Sequence, residues 1–393
     1  MSVNPTATLA TPPALAPRTL SAARRATRAM FGGLGLTAGM WGAHIPSVKT
    51  QYGLNEGTLA LLLLAAAAGA LMSLSFAGRL VNRLGVSRTA ALAGLLMSLM
   101  LATVLWWPGL AWVLPAMLVL GAAQSLLDVS INAEGTTLEV LSGRPVMSQL
   151  HGMFSLGGMA GAALGAALLR AGMTAAQQFG ITAAGMVLLS LLATRHMLPG
   201  AAHRADDEPG QAHFAWPHGV LLLIGLLIFA GMTAEGVMYD WSVLYLKQEL
   251  GMPQDHAALG YAAFAAAMAA TRFTGDALRA RYPARKLLWW GACLAGGAMA
   301  VVLLSGHAWV ALPGYACVGA GLALVVPLLY NAASQVPGTS RAAAIASVSS
   351  IGYAGFLIGP PAIGAIAHLS SLTLAMALIV VAAAALAYGS RRI

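Results

Sequence analysis

Charge is scarce in this chain: only 8% of its 393 residues are Asp, Glu, Lys or Arg, and 59% are hydrophobic. A soluble protein of that composition would have too few polar residues to cover its surface. Cysteine is nearly absent. Cys293 and Cys317 both lie inside apolar runs, which excludes a disulfide framework and reads as small buried hydrophobes. No Walker-type lysine motif occurs, so ATP is not the expected energy source. No His–Glu metal cluster and no Gly-x-Ser-x-Gly elbow occur either. An integral membrane enzyme acting on a lipid-linked substrate is therefore a remote alternative, and no cofactor or metal is expected. The formal net charge is +9, but the basic residues are scattered and form no aromatic-interleaved patch, which argues against nucleic acid as a partner.

What the chain has in quantity is apolar runs of about 20 residues, the length that crosses a bilayer as a helix. They fall near 27–47, 57–78, 86–106, 109–138, 148–169, 175–195, 218–247, 256–278, 286–305, 308–331, 343–367 and 371–389. Eighteen of the twenty-one Lys and Arg residues sit at alternate boundaries of these runs. Lys49, Arg170 and Lys247 sit at the opposite boundaries. Cytoplasmic loops keep an excess of basic side chains, so the rich side is read as cytoplasmic, with both termini on it. The expectation is a multi-pass protein of a bacterial-type inner membrane.

Residues 1–20 are rich in Pro, Ala and Thr without periodicity and read as a disordered cytoplasmic tail. The polar stretch 198–216 reads as a cytoplasmic linker between helical bundles at 21–197 and 217–393. The halves echo each other: Phe76-Ala77-Gly78 matches Phe273-Thr274-Gly275, and the run Ser148, Gly152, Gly161 matches Ser347, Gly352, Gly359. The expected fold is thus all-α and integral to the membrane, with twelve transmembrane helices in two pseudo-symmetric six-helix bundles. Many secondary transporters are built this way.

The loop from Gly78 to Arg88, GRLVNRLGVSR, resembles the signature that major facilitator superfamily members carry between their second and third helices. The usual form is Gly-x-x-x-Asp-Arg-x-Gly-x-(Arg/Lys)-x-(Arg/Lys). Asn82 replaces the usual Asp, and an Asn retains the ability to cap a helix N-terminus. Further strings are Asp128-x3-Asn132-x6-Glu139, His151-Gly152-x-Phe154-Ser155, Glu235-Gly236-x3-Asp240-Trp241-Ser242 and Gly352-Tyr353-x-Gly355-Phe356. Together they resemble the YbjJ-like branch, related to the fucose permeases. The resemblance implies transport of a small polar, sugar-like solute by alternating access, with protons as the coupling ion.

An ionisable side chain within a span is a functional candidate. Gln124, Asp128 and Asn132 are spaced by four and share a helix face. Asp128 is read as the proton-coupling or solute-binding carboxyl of the first half, the alternative being structural glue between helices. Glu139, nearer the basic end, is expected to pair with Arg83, Arg88 or Arg144 as a gate. Glu134 points about 120° away from the Asp128 face, towards His151 or a loop.

In the second half, Glu235, Tyr239 and Ser242 share a face, and Glu235 is expected to join Asp128 in coupling. Tyr239 and Trp41 complete the cavity wall in this reading; an interfacial aromatic belt is the other reading of Trp41. Asp240 is expected to form an outer gate with Lys247 or His44. Arg272 is expected to snorkel to the cytoplasmic surface. Gly157, Gly158, Gly161 and Gly165 read as close helix packing, and Pro360-Pro361 as a bend. Proton symport of a polar solute is the leading function, with proton-antiport export of a metabolite or drug as the alternative. Oligomeric state is left open.

Overall fold

The computed structural model describes residues 17–199, 218–337, 339 and 341–392. The expected tail therefore lies outside the described residues except for 17–20, which are already helical, and the expected linker lies outside them except for 198–199. The first half holds α1 (Pro17–Gln51), α2 (Glu56–Leu84), α3 (Val86–Thr103), α4 (Leu110–Ser142), α5 (Met147–Arg170) and α6 (Ala175–Ala193). The second holds α7 (Val220–Gln248), α8 (Gln254–Arg281), α9 (Ala284–Ser305), α10 (Ala308–Leu322), α11 (Val325–Ala333), α12 (Arg341–Leu369), α13 (Leu372–Met376) and α14 (Leu378–Gly389). Among the described residues α10 with α11, and α13 with α14, each make one interrupted span, so the spans number twelve. The interruptions fall at 323–324 and 377, whereas α12 stays helical through Pro360 and Pro361.

Ten of these spans are long and apolar enough to cross a membrane by length and composition. The other two, α1 and α8, are diluted by Gly, Ala, His and Arg. They can be less apolar because they pack across the seam between the halves as well as within them.

The helix ends are specified locally. Asn55 accepts from the Thr58 amide at 2.8 Å and starts α2. Thr174 and Gln177 form a reciprocal capping box at α6. Gly85, at φ +85°, is the single residue that turns α2 into α3, a conformation that penalises any side chain. Asn82 therefore lies within the last turn of α2, and Gly85 rather than Asn82 occupies the N-cap of α3. The Ser87 hydroxyl donates to the Thr194 carbonyl at 2.6 Å, tying the start of α3 to the end of α6.

The two halves repeat one packing plan. In the first, α1 packs on α5 and α6, and α4 on α2 and α3; in the second, α7 packs on α12 and α14, and α10 on α8 and α9. Across the seam, α5 against α8 is repeated by α2 against α12. The α1–α5 contact brings backbones together through glycine: a Cβ at Gly39 would lie 2.1 Å from the Gly158 carbonyl oxygen, and one at Gly161 2.1 Å from that of Leu36. Small residues allow such approach where apolar burial supplies no drive between helices in lipid.

Gly39→Val should therefore destabilise the protein by about 1–3 kcal/mol through overpacking. Gly180→Ala on α6, where nothing lies within 4 Å, should be neutral. Thermal unfolding of the detergent-purified variants checks both; an unchanged melting temperature for Gly39→Val would mean that the α1–α5 contact is looser than described.

Candidate functional site

Two polar clusters lie between the halves, and the helices place them on opposite walls. On α4 the Asn132 amide donates to Asp128 Oδ1 at 3.0 Å and to the Asp128 carbonyl at 2.8 Å. Gln124 is exposed, and Asp128 and Asn132 are half-buried, along the one stripe that their spacing by four creates. Tyr353 on α12, 43% exposed, lies within electrostatic reach of Asp128 from the other half. Behind it the Ser349 hydroxyl donates to the Tyr330 hydroxyl at 3.1 Å, joining α12 to α11.

The second cluster is built on α7 and α8. The Tyr239 hydroxyl donates to Glu235 Oε1 at 2.7 Å, one helical turn away. Arg272 Nη2 lies 3.1 Å from the same oxygen in an ion pair whose side chains are 11% and 10% exposed. The same guanidinium reaches the first half, where Nη1 donates to Ser155 Oγ on α5 at 2.7 Å. Its Nε points at 3.5 Å to the Ala323 carbonyl, which the interruption between α10 and α11 leaves without a helical partner. Tyr261, Phe264 and Phe154 surround the Tyr239 ring at centroid distances of 5.6, 5.5 and 6.5 Å.

Arg272 thus turns inward instead of snorkelling to the surface. A charge taken out of water is tolerated when it is paired and its remaining protons are hydrogen-bonded, and Glu235, Ser155 and Ala323 meet that demand. Glu235, expected to join Asp128 in coupling, is held by this pair and shares no partner with Asp128 among the described residues. Glu139 is corrected too: its Oε2 accepts from the Val146 and Met147 amides at 2.8 and 3.1 Å, at the start of α5. Its carboxylate meets unpaired amides at a helix N-terminus, a favourable site for negative charge. Arg83, Arg88 and Arg144 are exposed, as is Asn82, and none of the three arginines forms an ion pair among the described residues. Glu134 is fully buried and accepts from the Leu198 amide at 2.6 Å, which places it on the chain leaving α6.

Trp41 stacks on Phe179 of α6, with centroids 6.1 Å apart and planes 20° apart, so its ring packs within the first half. Asp240 makes neither of its expected ion pairs. Lys247 donates to Gln254 at 2.9 Å, and His44 lies 2.8 Å from Gln178 and 3.2 Å from Ser47. Sequence reasoning gave Arg272 a surface role and passed over Ser155, Tyr261, Tyr330 and Tyr353. The quoted strings contained Ser155 and Tyr353, but nothing in them showed which way each side chain points.

Contacts between the halves are unevenly distributed. At the end bearing Lys49, Arg170 and Lys247, Gln254 donates to the Ala43 carbonyl at 3.0 Å and to Ser47 at 2.7 Å, and Arg170 lies 3.2 Å from Asp255. Gly42 sits against the Tyr261 ring and Gly364 against Ala60. Towards the arginine-rich end, the polar contacts across the seam among the described residues are confined to α5 and α8, and α4 packs no seam with the second half. Asp128, His151, Tyr353 and Asp240 lie deep in the body of the protein yet are reached by solvent. We read this distribution as a cleft closed at the Lys49 end and open towards the arginine-rich end.

Twelve spans in two matched bundles around a polar cleft define a polytopic membrane transporter. The model of the Major Facilitator Superfamily matches residues 145–340. An uncharacterised MFS-type transporter of Yersinia pestis is 36% identical over 349 residues, covering 89% of this chain and 90% of that protein. The chain belongs to the major facilitator superfamily. In fold it is similar to the E. coli fucose:proton symporter (TM-score 0.64, 16% identity, 94% of this chain and 98% of that one). It is likewise similar to a D-xylose-proton symporter (TM-score 0.73, 15% identity, 92% and 96%).

Arg272→Leu should cost about 3–5 kcal/mol, because it strands the Glu235 carboxylate in apolar surroundings. The double variant Arg272→Leu with Glu235→Leu should recover most of that loss. Melting temperatures of the two single variants and the double variant test this; additive losses would show that the pair is not coupled.

Proposed function

We propose that this transporter carries a small polar, sugar-like solute across a bacterial inner membrane, with proton symport as its driving reaction. The arginine-rich end and both termini face the cytoplasm in this reading, by the bias of basic residues towards that side. The observation that carries it is Asp128, a carboxyl deep in the protein, reached by solvent, whose hydrogen-bond partner is a neutral amide on its own helix. An intramembrane carboxyl without a cationic partner is suited to take up a proton in one access state and release it in the other. Gln124 and Asn132 supply donors and acceptors beside it, and Tyr353 of the opposite half lies within electrostatic reach; a hydroxylated solute can be held by such a set.

The fold neighbours named as fucose:proton and D-xylose-proton symporters support the direction of the reading. Alternating access would proceed by rocking of the two bundles about the α5–α8 and α2–α12 seams. Closure at the far end would then open as contacts form at the arginine-rich end. Arg272, held by Glu235 within the second bundle, reaches Ser155 of the first and links the halves in this scheme.

Purified protein in liposomes carrying an internal pH dye, screened against sugars, sugar acids and amino acids, tests the proposal. Solute-driven proton entry that disappears in Asp128→Asn is the expected result. Proton exit on solute addition would reverse the direction to antiport, and coupled transport that survives Asp128→Asn would remove Asp128 from the mechanism.

A further inference from the structure

Asp240 is the other deep carboxyl of the cleft, and it has even less to hold it than Asp128. It lies in the half of α7 nearer the closed end and is half-buried. Among the described residues it makes no hydrogen bond and no ion pair. The cations nearest in helical position are engaged elsewhere: Lys247 by Gln254, and Arg272 by Glu235 and Ser155.

The walls around this stretch of α7 offer little charge. One turn before Asp240, Gly236 sits against the Phe356 ring of α12. On α1, Gly42 sits against the Tyr261 ring and the Tyr239 carbonyl. Of the ionisable groups on helices packed against α7, Tyr261 of α8 is within electrostatic reach of Asp240. On α1, His44 is held by Gln178 and Ser47, and Lys49 is paired with Glu56 at 2.7 Å. On α8, Asp255 is held by Arg170 and His256. Tyr315 of α10 donates to the Ser242 carbonyl, Tyr330 of α11 accepts from Ser349, and Tyr388 of α14 is bonded to Arg392. On α12, Tyr353 faces the Asp128 side of the cleft and His368 lies beside Gly57 of α2.

An isolated carboxylate in a membrane-spanning helix is costly unless it is paired, hydrated or neutralised. Asp240 has no pairing partner, and solvent reaches it. Glu235, one turn and a residue earlier, has both a cation and a phenol on one oxygen and is spoken for. We propose that Asp240 is the proton-binding carboxyl of the second bundle, the counterpart of Asp128 in the first. The use of that proton in transport rests on the symport reading above; its binding to Asp240 does not.

A hydrophobic carbodiimide adds to protonated carboxyl groups in apolar surroundings, and peptide mass mapping locates the adduct. The full chain in liposomes, treated with dicyclohexylcarbodiimide across a pH series, should carry an adduct on Asp240 that rises several-fold from alkaline to acidic pH. Asp240→Asn should abolish that adduct and Asp240→Glu should restore one at the same position, with a monodisperse gel-filtration peak showing that each variant is folded. Glu235 should stay unmodified until Arg272→Leu removes its cation. No adduct on Asp240 at any pH, or one indifferent to pH, overturns the proposal. Solute-driven proton entry that persists without an Asp240 adduct counts against this site alone. An Asp240 adduct in a protein that shows no proton coupling supports the site and counts against the symport reading.

Discussion

Hydrocarbon offers no water to a polar group, and this constraint governs both the fold and the site. Every backbone amide has to be satisfied within its own segment, so the chain crosses as helices. Every charge placed among those helices has to find its partner within the protein. The Glu235–Arg272 pair is the deepest answer to that demand. It engages one carboxylate, one guanidinium, a phenol, a serine hydroxyl of the other half and a carbonyl freed by a helix interruption. Those five groups come from α5, α7, α8 and the α10–α11 junction; the pair itself lies within the second bundle, and the bond from Arg272 to Ser155 is what reaches the first.

The closed end of the cleft works differently. There the halves meet through Gln254 on a backbone carbonyl and a hydroxyl, through an Arg170–Asp255 pair whose arginine is 58% exposed, and through glycines that let helices touch. Exposed ion pairs contribute little each, so this end is held by a set of weak contacts that can separate without stranding a buried charge. At mid-depth the polar link between the halves is local, running from Arg272 to Ser155 and from Ser148 to the Arg272 carbonyl, whereas at the Lys49 end it is distributed.

With Arg272 neutralised by Glu235, the cleft keeps two carboxyls, Asp128 and Asp240, that lack a cationic partner among the described residues. They lie on different halves, on α4 and α7. Their neighbours are amides, hydroxyls and aromatic rings.

Much of this was legible in the sequence, and the boundary between what was and was not has a physical basis. Membrane class, twelve spans and internal duplication follow from run length and hydropathy, which are properties of contiguous residues. The capping box at Thr174 and the turn at Gly85 are local in the same sense. The face shared by Gln124, Asp128 and Asn132, and that shared by Glu235 and Tyr239, follow from helical spacing alone. Partner choice did not. Glu139 took the amides of Val146 and Met147 in place of an arginine, Arg272 turned inward to Glu235 and Ser155, and Asp240 was left without the lysine or histidine expected for it. A helix's own sequence states which residues share a face, but its rotation against its neighbours decides what that face meets. That rotation is settled by packing between segments more than a hundred residues apart, such as Ser155 and Arg272.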